Sequence, residues 1–135
     1  MRTLLLAVLG LTGLLVACSP CVGESDPVTV VATSLCTRAD AGAIAVGAPF
    51  TVFANHNVSG TATCVVGVDG GSIVLSLSAT PYRNTCGVGA EAALPAPQPA
   101  ACAIPALDAG TYTFNTSTPE SITLPYDGGL GACQF

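Results

Sequence analysis

From residue 28 onward the chain is a succession of short runs in which apolar and polar residues alternate. In residues 50–54, Phe50, Val52 and Ala54 share one face, and in 61–68 Ala62, Cys64, Val66 and Val68 do so. In 72–78, Ile73, Leu75 and Leu77 oppose Val74, Ser76 and Ser78. Residues 111–115 pair Tyr112 with Phe114, and 121–126 align Ile122, Leu124 and Tyr126. A further run, 28–34, is rich in Val and Thr. A period of two in segments rich in β-branched residues predicts half-buried strands. Turn chemistry separates them at 57–60, at Asp69-Gly70-Gly71 and at Asp127-Gly128-Gly129. No 3.6-residue stripe occurs in this part. Six or seven short strands predict an all-β fold, a small antiparallel sandwich or barrel, with a disulfide-stapled β-sandwich the expected one.

The start of the chain has a different pattern. Residues 4–17 are nearly all apolar, a block of 14 residues. That falls short of the roughly 20 needed to cross a bilayer. With Arg2 before it, the block reads as an export signal whose helix is removed from the mature protein. The next residues are Leu15-Val16-Ala17-Cys18, and Leu15 is too large for the −3 position of an ordinary signal-peptidase site. These four residues resemble the bacterial lipobox at every position. The resemblance implies a diacylglyceryl thioether on Cys18, cleavage before it, and acylation of the new amino terminus. Ser19, rather than Asp, follows the cysteine, which within that class implies the outer membrane in a host that has one. The expected organisation is a lipoprotein signal peptide at 1–17, a lipidated tether at 18–27 and a single β-sandwich domain at 28–135. Membrane lipid, held through acylated Cys18, is the first expected partner, and the cell envelope the expected location.

Charge narrows the remaining partners. Acids outnumber bases by eight to three, and there is no Lys. Removing the 17 leader residues takes Arg2 with them and leaves 118 residues, with Arg38 and Arg83 against the eight acids, a formal charge of −6. Such a surface repels phosphate backbones, so nucleic acid is not an expected partner. Electrostatic attraction to anionic lipid is equally disfavoured.

Seven cysteines are an odd number for an exported chain. Lipidation of Cys18 leaves Cys21, Cys36, Cys64, Cys86, Cys102 and Cys133, an even six that an oxidising compartment would join as three disulfides. Six cysteines allow 15 pairings. Cys86 with Cys102 is the expected one, because Pro95, Pro97 and Pro99 make the segment between them a stiff extended loop. A bridge at Cys133 would tie down the C-terminus. A bridge at Cys21 would leave two residues of free tether. The Cys18-Ser19-Pro20-Cys21 spacing matches redox motifs, but a thioether sulfur cannot exchange and no βαβ pattern follows. Zinc needs clustered ligands, and these cysteines are spread along the chain.

Asp108-Ala109-Gly110-Thr111-Tyr112 resembles the Asp-x-Gly-x-Tyr of immunoglobulin tyrosine corners, in which the Tyr hydroxyl bonds back to the backbone. The resemblance implies an immunoglobulin-like sandwich in outline. Immunoglobulins carry a Cys two residues after that Tyr. Here Phe114 stands there, and the chain has no Trp. An ordinary loop leading into a strand is the alternative.

Little in the sequence assembles into chemistry. His56 is the one imidazole and reads as a solvated turn residue. No Ser lies in a nucleophile elbow, and the acids Glu24, Asp26, Asp40, Asp69, Glu91, Asp108, Glu120 and Asp127 are dispersed without EF-hand spacing. Asp69 and Asp127 could serve a loop calcium site, but each precedes Gly-Gly, which turn formation explains. Asn57-Val58-Ser59 and Asn115-Thr116-Ser117 match the glycosylation sequon and are not expected to be used in a bacterial lipoprotein. The expectation is a non-enzymatic envelope protein without cofactor or metal, a binding or structural module with a protein or polysaccharide partner. Strand edges and the segment between Cys86 and Cys102 would make the contacts. The alternative is an inhibitor of secreted proteases or cell-wall lytic enzymes, since a stiff loop loses little entropy on entering a cleft. An enzyme built around His56 and a carboxylate is a third reading.

Overall fold

The computed structural model describes residues 21–38, 42–86, 93–126 and 130–133. Ten strands run through them: β1 (Val22–Glu24), β2 (Val28–Val30), β3 (Ser34–Cys36), β4 (Phe50–Asn55), β5 (Ala62–Asp69), β6 (Ser72–Ala79), β7 (Tyr82–Asn84), β8 (Ala100–Ile104), β9 (Gly110–Phe114) and β10 (Glu120–Leu124). The described residues contain no helix. The expected leader, Cys18 and the turn expected at Asp127-Gly128-Gly129 lie outside the described residues.

The larger sheet is organised around β6. Its alternation is complete: Ile73, Leu75, Leu77 and Ala79 are buried, and Ser72, Val74, Ser76 and Ser78 are exposed. β5 pairs with its whole length, from Asp69↔Ser72 to Ala62↔Ala79, across the two-residue turn Gly70-Gly71. Gly70 takes the left-handed φ of 55° that so short a turn demands. The other edge of β6 is shared. β9 runs parallel to it at Ser72 and Ile73, β2 pairs antiparallel at Leu77–Ala79, and β10 completes the sheet beyond β9. Between β9 and β2 the peptide of Leu75 has no strand beside it, and Asn115 takes that place. Its Oδ1 accepts from Leu75 N–H at 2.6 Å and its Nδ2 donates to Leu75 O at 3.2 Å.

The second sheet has the order β3-β4-β8, antiparallel throughout. Its buried face (Leu35, Val52, Ala54, Ala100, Cys102, Ile104) meets that of the first sheet (Ile73, Leu75, Leu77, Phe114, Ile122, Leu124) in one core. Large side chains buried this fully each contribute about 1.5–3 kcal/mol. Both flanks of the sandwich are closed. On one, the Glu120 carboxylate accepts from the backbone N–H of Leu35 in edge strand β3, and Ile44 and Tyr126 exchange two backbone hydrogen bonds. On the other, Gly60 and Pro97 form a parallel bridge and Cys64 of β5 is bonded to Cys102 of β8. β1 and β7 form a separate two-stranded ribbon.

Several expectations need correction. Residues 28–34 are not one strand, because the chain leaves the first sheet after Val30 and enters the second at Ser34, with buried Ala32 small enough to sit at the crossing. The expected 18–27 tether is ordered from Cys21, since Val22–Glu24 pairs with Tyr82–Asn84. β8 begins inside the segment expected as loop, at Ala100, and runs past Cys102 to Ile104. Its alternation is real (Ala100, Cys102 and Ile104 in, Ala101 and Ala103 out), but Ala on the outward face hides it from a hydropathy pattern. The sheets are antiparallel apart from β6 with β9.

The tyrosine corner is present. Tyr112 is buried and its hydroxyl donates to Asp108 O at 3.1 Å. Tyr112→Phe should cost about 1 kcal/mol, the worth of one hydrogen bond. Asn115→Ala should cost more, about 1–3 kcal/mol, because it strips both partners from the Leu75 peptide. Urea unfolding should show both as a lower midpoint at unchanged slope.

Candidate functional site

The fold brings the cysteines together in an order that local spacing does not suggest. The bridges are Cys21–Cys86, Cys36–Cys133 and Cys64–Cys102. The expected Cys86–Cys102 pair does not form. Cys102 sits on the inward face of β8 at 0% exposure, opposite Cys64 of the neighbouring β5, whereas Cys86 follows β7 in the outlying ribbon, beside Cys21. The proline-rich segment is therefore held at both ends, but to two different places. Cys36–Cys133 does tie the C-terminal residues to β3, helped by hydrogen bonds of Thr37 to Leu130 and Gly131. With Cys21 committed to Cys86, a redox pair between Cys18 and Cys21 has no place.

His56 is not a solvated turn residue. It is 6% exposed. Val58 N–H donates to its Nδ1 at 3.3 Å, so Nδ1 is the acceptor and the proton sits on Nε2, which donates to Gln98 O at 2.8 Å. Gln98 N–H in turn donates to Gly60 O. The imidazole thus fastens the 57–60 turn to the proline-rich segment, a contact 42 residues away in sequence that no local signal could have announced. At Gly60, with φ of 104°, a Cβ would meet Thr80 O at 2.8 Å and the Tyr82 ring at 2.9 Å, so the turn, β7 and this segment are packed closely here.

Glu24, Asp26, Asp69 and Asp108 are exposed, and Glu120 is engaged with Leu35. Asp40, Glu91 and Asp127 lie outside the described residues. Among the described residues no group of three or more His, Cys, Asp or Glu could hold a metal ion. The two sequon asparagines differ: Asn57 is exposed in its turn, while Asn115 is committed to Leu75. Of the two described arginines, Arg38 lies over the Phe53 ring at 5.6 Å and Arg83 is exposed in β7.

Two surface regions carry shallow crevices. The outer face of the larger sheet carries Thr63, Val65, Ser76, Ser78, Thr111, Thr113, Ser121 and Thr123, all uncharged and exposed. Its hydroxyls pair across strands, Thr111 with Thr123 at 2.9 Å and Thr113 with Ser121 at 3.1 Å. A shallow crevice of about 310 Å³ runs there between Val74, Thr113 and Pro119. A second crevice, about 230 Å³, lies between Ile44 and the start of β4 at Pro49, Phe50 and Thr51. Hydroxyls, methyls and backbone groups at these places can bind, but they supply no general base and no nucleophile with its activating partner.

His56→Ala should lower stability by about 1–3 kcal/mol through the unpaired Val58 and Gln98 groups. Amide exchange should quicken at Val58 and Gly60 and stay slow in β9 and β10. Loss of the Cys64–Cys102 bridge, whose separation is 38 residues, should cost about 4 kcal/mol in the chain-entropy estimate. Peptide mapping of the unreduced protein should return the three pairs given above.

The chain matches no protein-family model, no curated protein and no solved structure.

Proposed function

We propose that this chain is an exported lipoprotein of the bacterial cell envelope, anchored by lipid on Cys18, whose β-sandwich serves as a non-enzymatic binding or structural module. The observation that carries the reading is the pairing of the other six cysteines among themselves. Three disulfides are at home in an oxidising compartment. They also leave Cys18, directly behind the lipobox residues Leu15-Val16-Ala17, as the cysteine without a partner among the other six. A thioether would use it. One acyl chain gives marginal attachment, and two or more on one residue make it stable.

The module reading draws on the same economy. His56 has both nitrogens occupied by backbone groups, and Asn115 and Glu120 are taken up in closing the fold. What remains outward is a broad sheet face of hydroxyls and valines, with Asp69 at the end of β5, and two shallow crevices. Such surfaces suit a protein or polysaccharide partner and give no purchase to nucleic acid.

Intact mass of the membrane-extracted protein tests the reading. The expected species begins at Cys18, carries two or three acyl groups and takes up six alkyl groups after reduction and none before. Cys18→Ser should abolish the acyl mass and release the protein from membranes. A chain still beginning at Met1, or one alkylated without reduction, overturns it.

A further inference from the structure

The Cys21–Cys86 bridge is hard to explain as a staple of the core. It closes the ribbon β1–β7, in which Val22, Gly23 and Tyr82 are half-buried and Glu24, Arg83 and Asn84 are exposed. No residue of either strand belongs to the buried core. The other two bridges involve buried Cys36 and Cys102. The ribbon is also tied at both ends by backbone bonds, Thr85 N–H to Cys21 O and Ser25 N–H to Pro81 O. What sets Cys21 apart is its place in sequence, three residues after Cys18.

We propose that the ribbon is the foot on which the domain stands against the phospholipid headgroup layer, and that the Cys21–Cys86 bridge fixes the domain's orientation on the bilayer. This rests on the lipid anchor proposed above. Between an acylated Cys18 and bridged Cys21 lie Ser19 and Pro20, so the two Cα atoms are at most about 11 Å apart. Cys21 is fastened in turn to Cys86 and, through the ladder Val22↔Asn84 to Glu24↔Tyr82, to β7. A ten-residue flexible tether would let the domain tumble. Two residues ending in a cross-linked ribbon do not.

The fold then decides which surfaces face the lipid. Ser59 Oγ donates to Tyr82 O, and Gly60 abuts the Tyr82 ring and bridges to Pro97. The 57–60 turn and the proline-rich segment therefore share the ribbon's end. β5 and β6 lead away from it to the Gly70-Gly71 turn, about 25 Å along eight residues. Thr113 N–H donates to Gly71 O, Leu124 pairs with Gly110, and Gly47 N–H donates to Leu107 O, so the tyrosine corner and the crevice beside Ile44 gather at the far end. Partners arriving from the aqueous side meet that end and the hydroxyl face, and the proline-rich segment, the contact surface expected from sequence, lies on the lipid side. The ribbon's end carries Arg83, which pairs with Gly23 across the ladder, together with exposed Glu24 and Asp26, so it presents no basic patch to anionic lipid.

The acylated chain in nanodiscs containing a headgroup-nitroxide phospholipid tests this by NMR. Amides of Val22–Glu24 and Tyr82–Asn84 should broaden at least ~10-fold more than those of Gly70, Gly71 and Ala109, given the separation along β6. Cys21→Ser with Cys86→Ser should keep the acyl mass and the nanodisc association while levelling that difference. Equal broadening at both ends of the native chain, or stronger broadening at Gly70, overturns the foot and leaves the anchor standing. A chain with no acyl mass that fails to associate with nanodiscs overturns both.

Discussion

The line along which β5 and β8 meet is the contact on which the rest of the structure depends. The two strands belong to different sheets and run side by side, covalently joined at Cys64 and Cys102, with a backbone bridge between Gly60 and Pro97 just ahead of them in sequence. If that line opened, β6 would keep its partner strands, but its buried face would lose the wall that β4 and β8 provide. Small domains bury little apolar surface, and covalent staples compensate by restricting the unfolded chain. The need is sharper here, because much of the core is Ala, Val and Cys rather than larger side chains: Ala32, Val52, Ala54, Ala79, Ala100 and Cys102 are all nearly inaccessible.

The same economy explains the polar residues that do have buried or half-buried atoms. Each completes backbone hydrogen bonding where two elements part. Asn115 stands in for a strand beside Leu75, Glu120 covers the edge of β3, and His56 links two segments that no ladder joins. A backbone group left without a partner in such places costs as much as a lost hydrogen bond. No buried side-chain nitrogen or oxygen lacks a partner among the described residues. These side chains are therefore structural in a direct sense, His56 among them.

Low charge has a counterpart on the surface. With 8% charged residues, the outer face of the larger sheet depends on Ser and Thr hydroxyls for its hydration, and valines such as Val65, at 69% exposure, stand among them.

The alternation in residues 50–54, 61–68, 72–78, 111–115 and 121–126 was enough to name five strands and an all-β class, because a strand that buries one face writes its period directly into hydropathy. Asp108-x-Gly-x-Tyr112 marked the tyrosine corner for the same reason: its hydrogen bond spans four residues. The resemblance of Leu15-Val16-Ala17-Cys18 to a lipobox and the parity of the cysteines are likewise matters of sequence alone. Tertiary structure decided everything that joins distant residues. Cys86 turned to Cys21 rather than Cys102 because β8 carries Cys102 beside β5 and into the core. Val22–Glu24 became a strand only because Tyr82–Asn84 lay ready to pair with it. His56 became a buried link only because Gln98 arrived over it. A three-residue strand, a disulfide partner and a buried histidine have no period and no local signature, since the groups that stabilise them are tens of residues away.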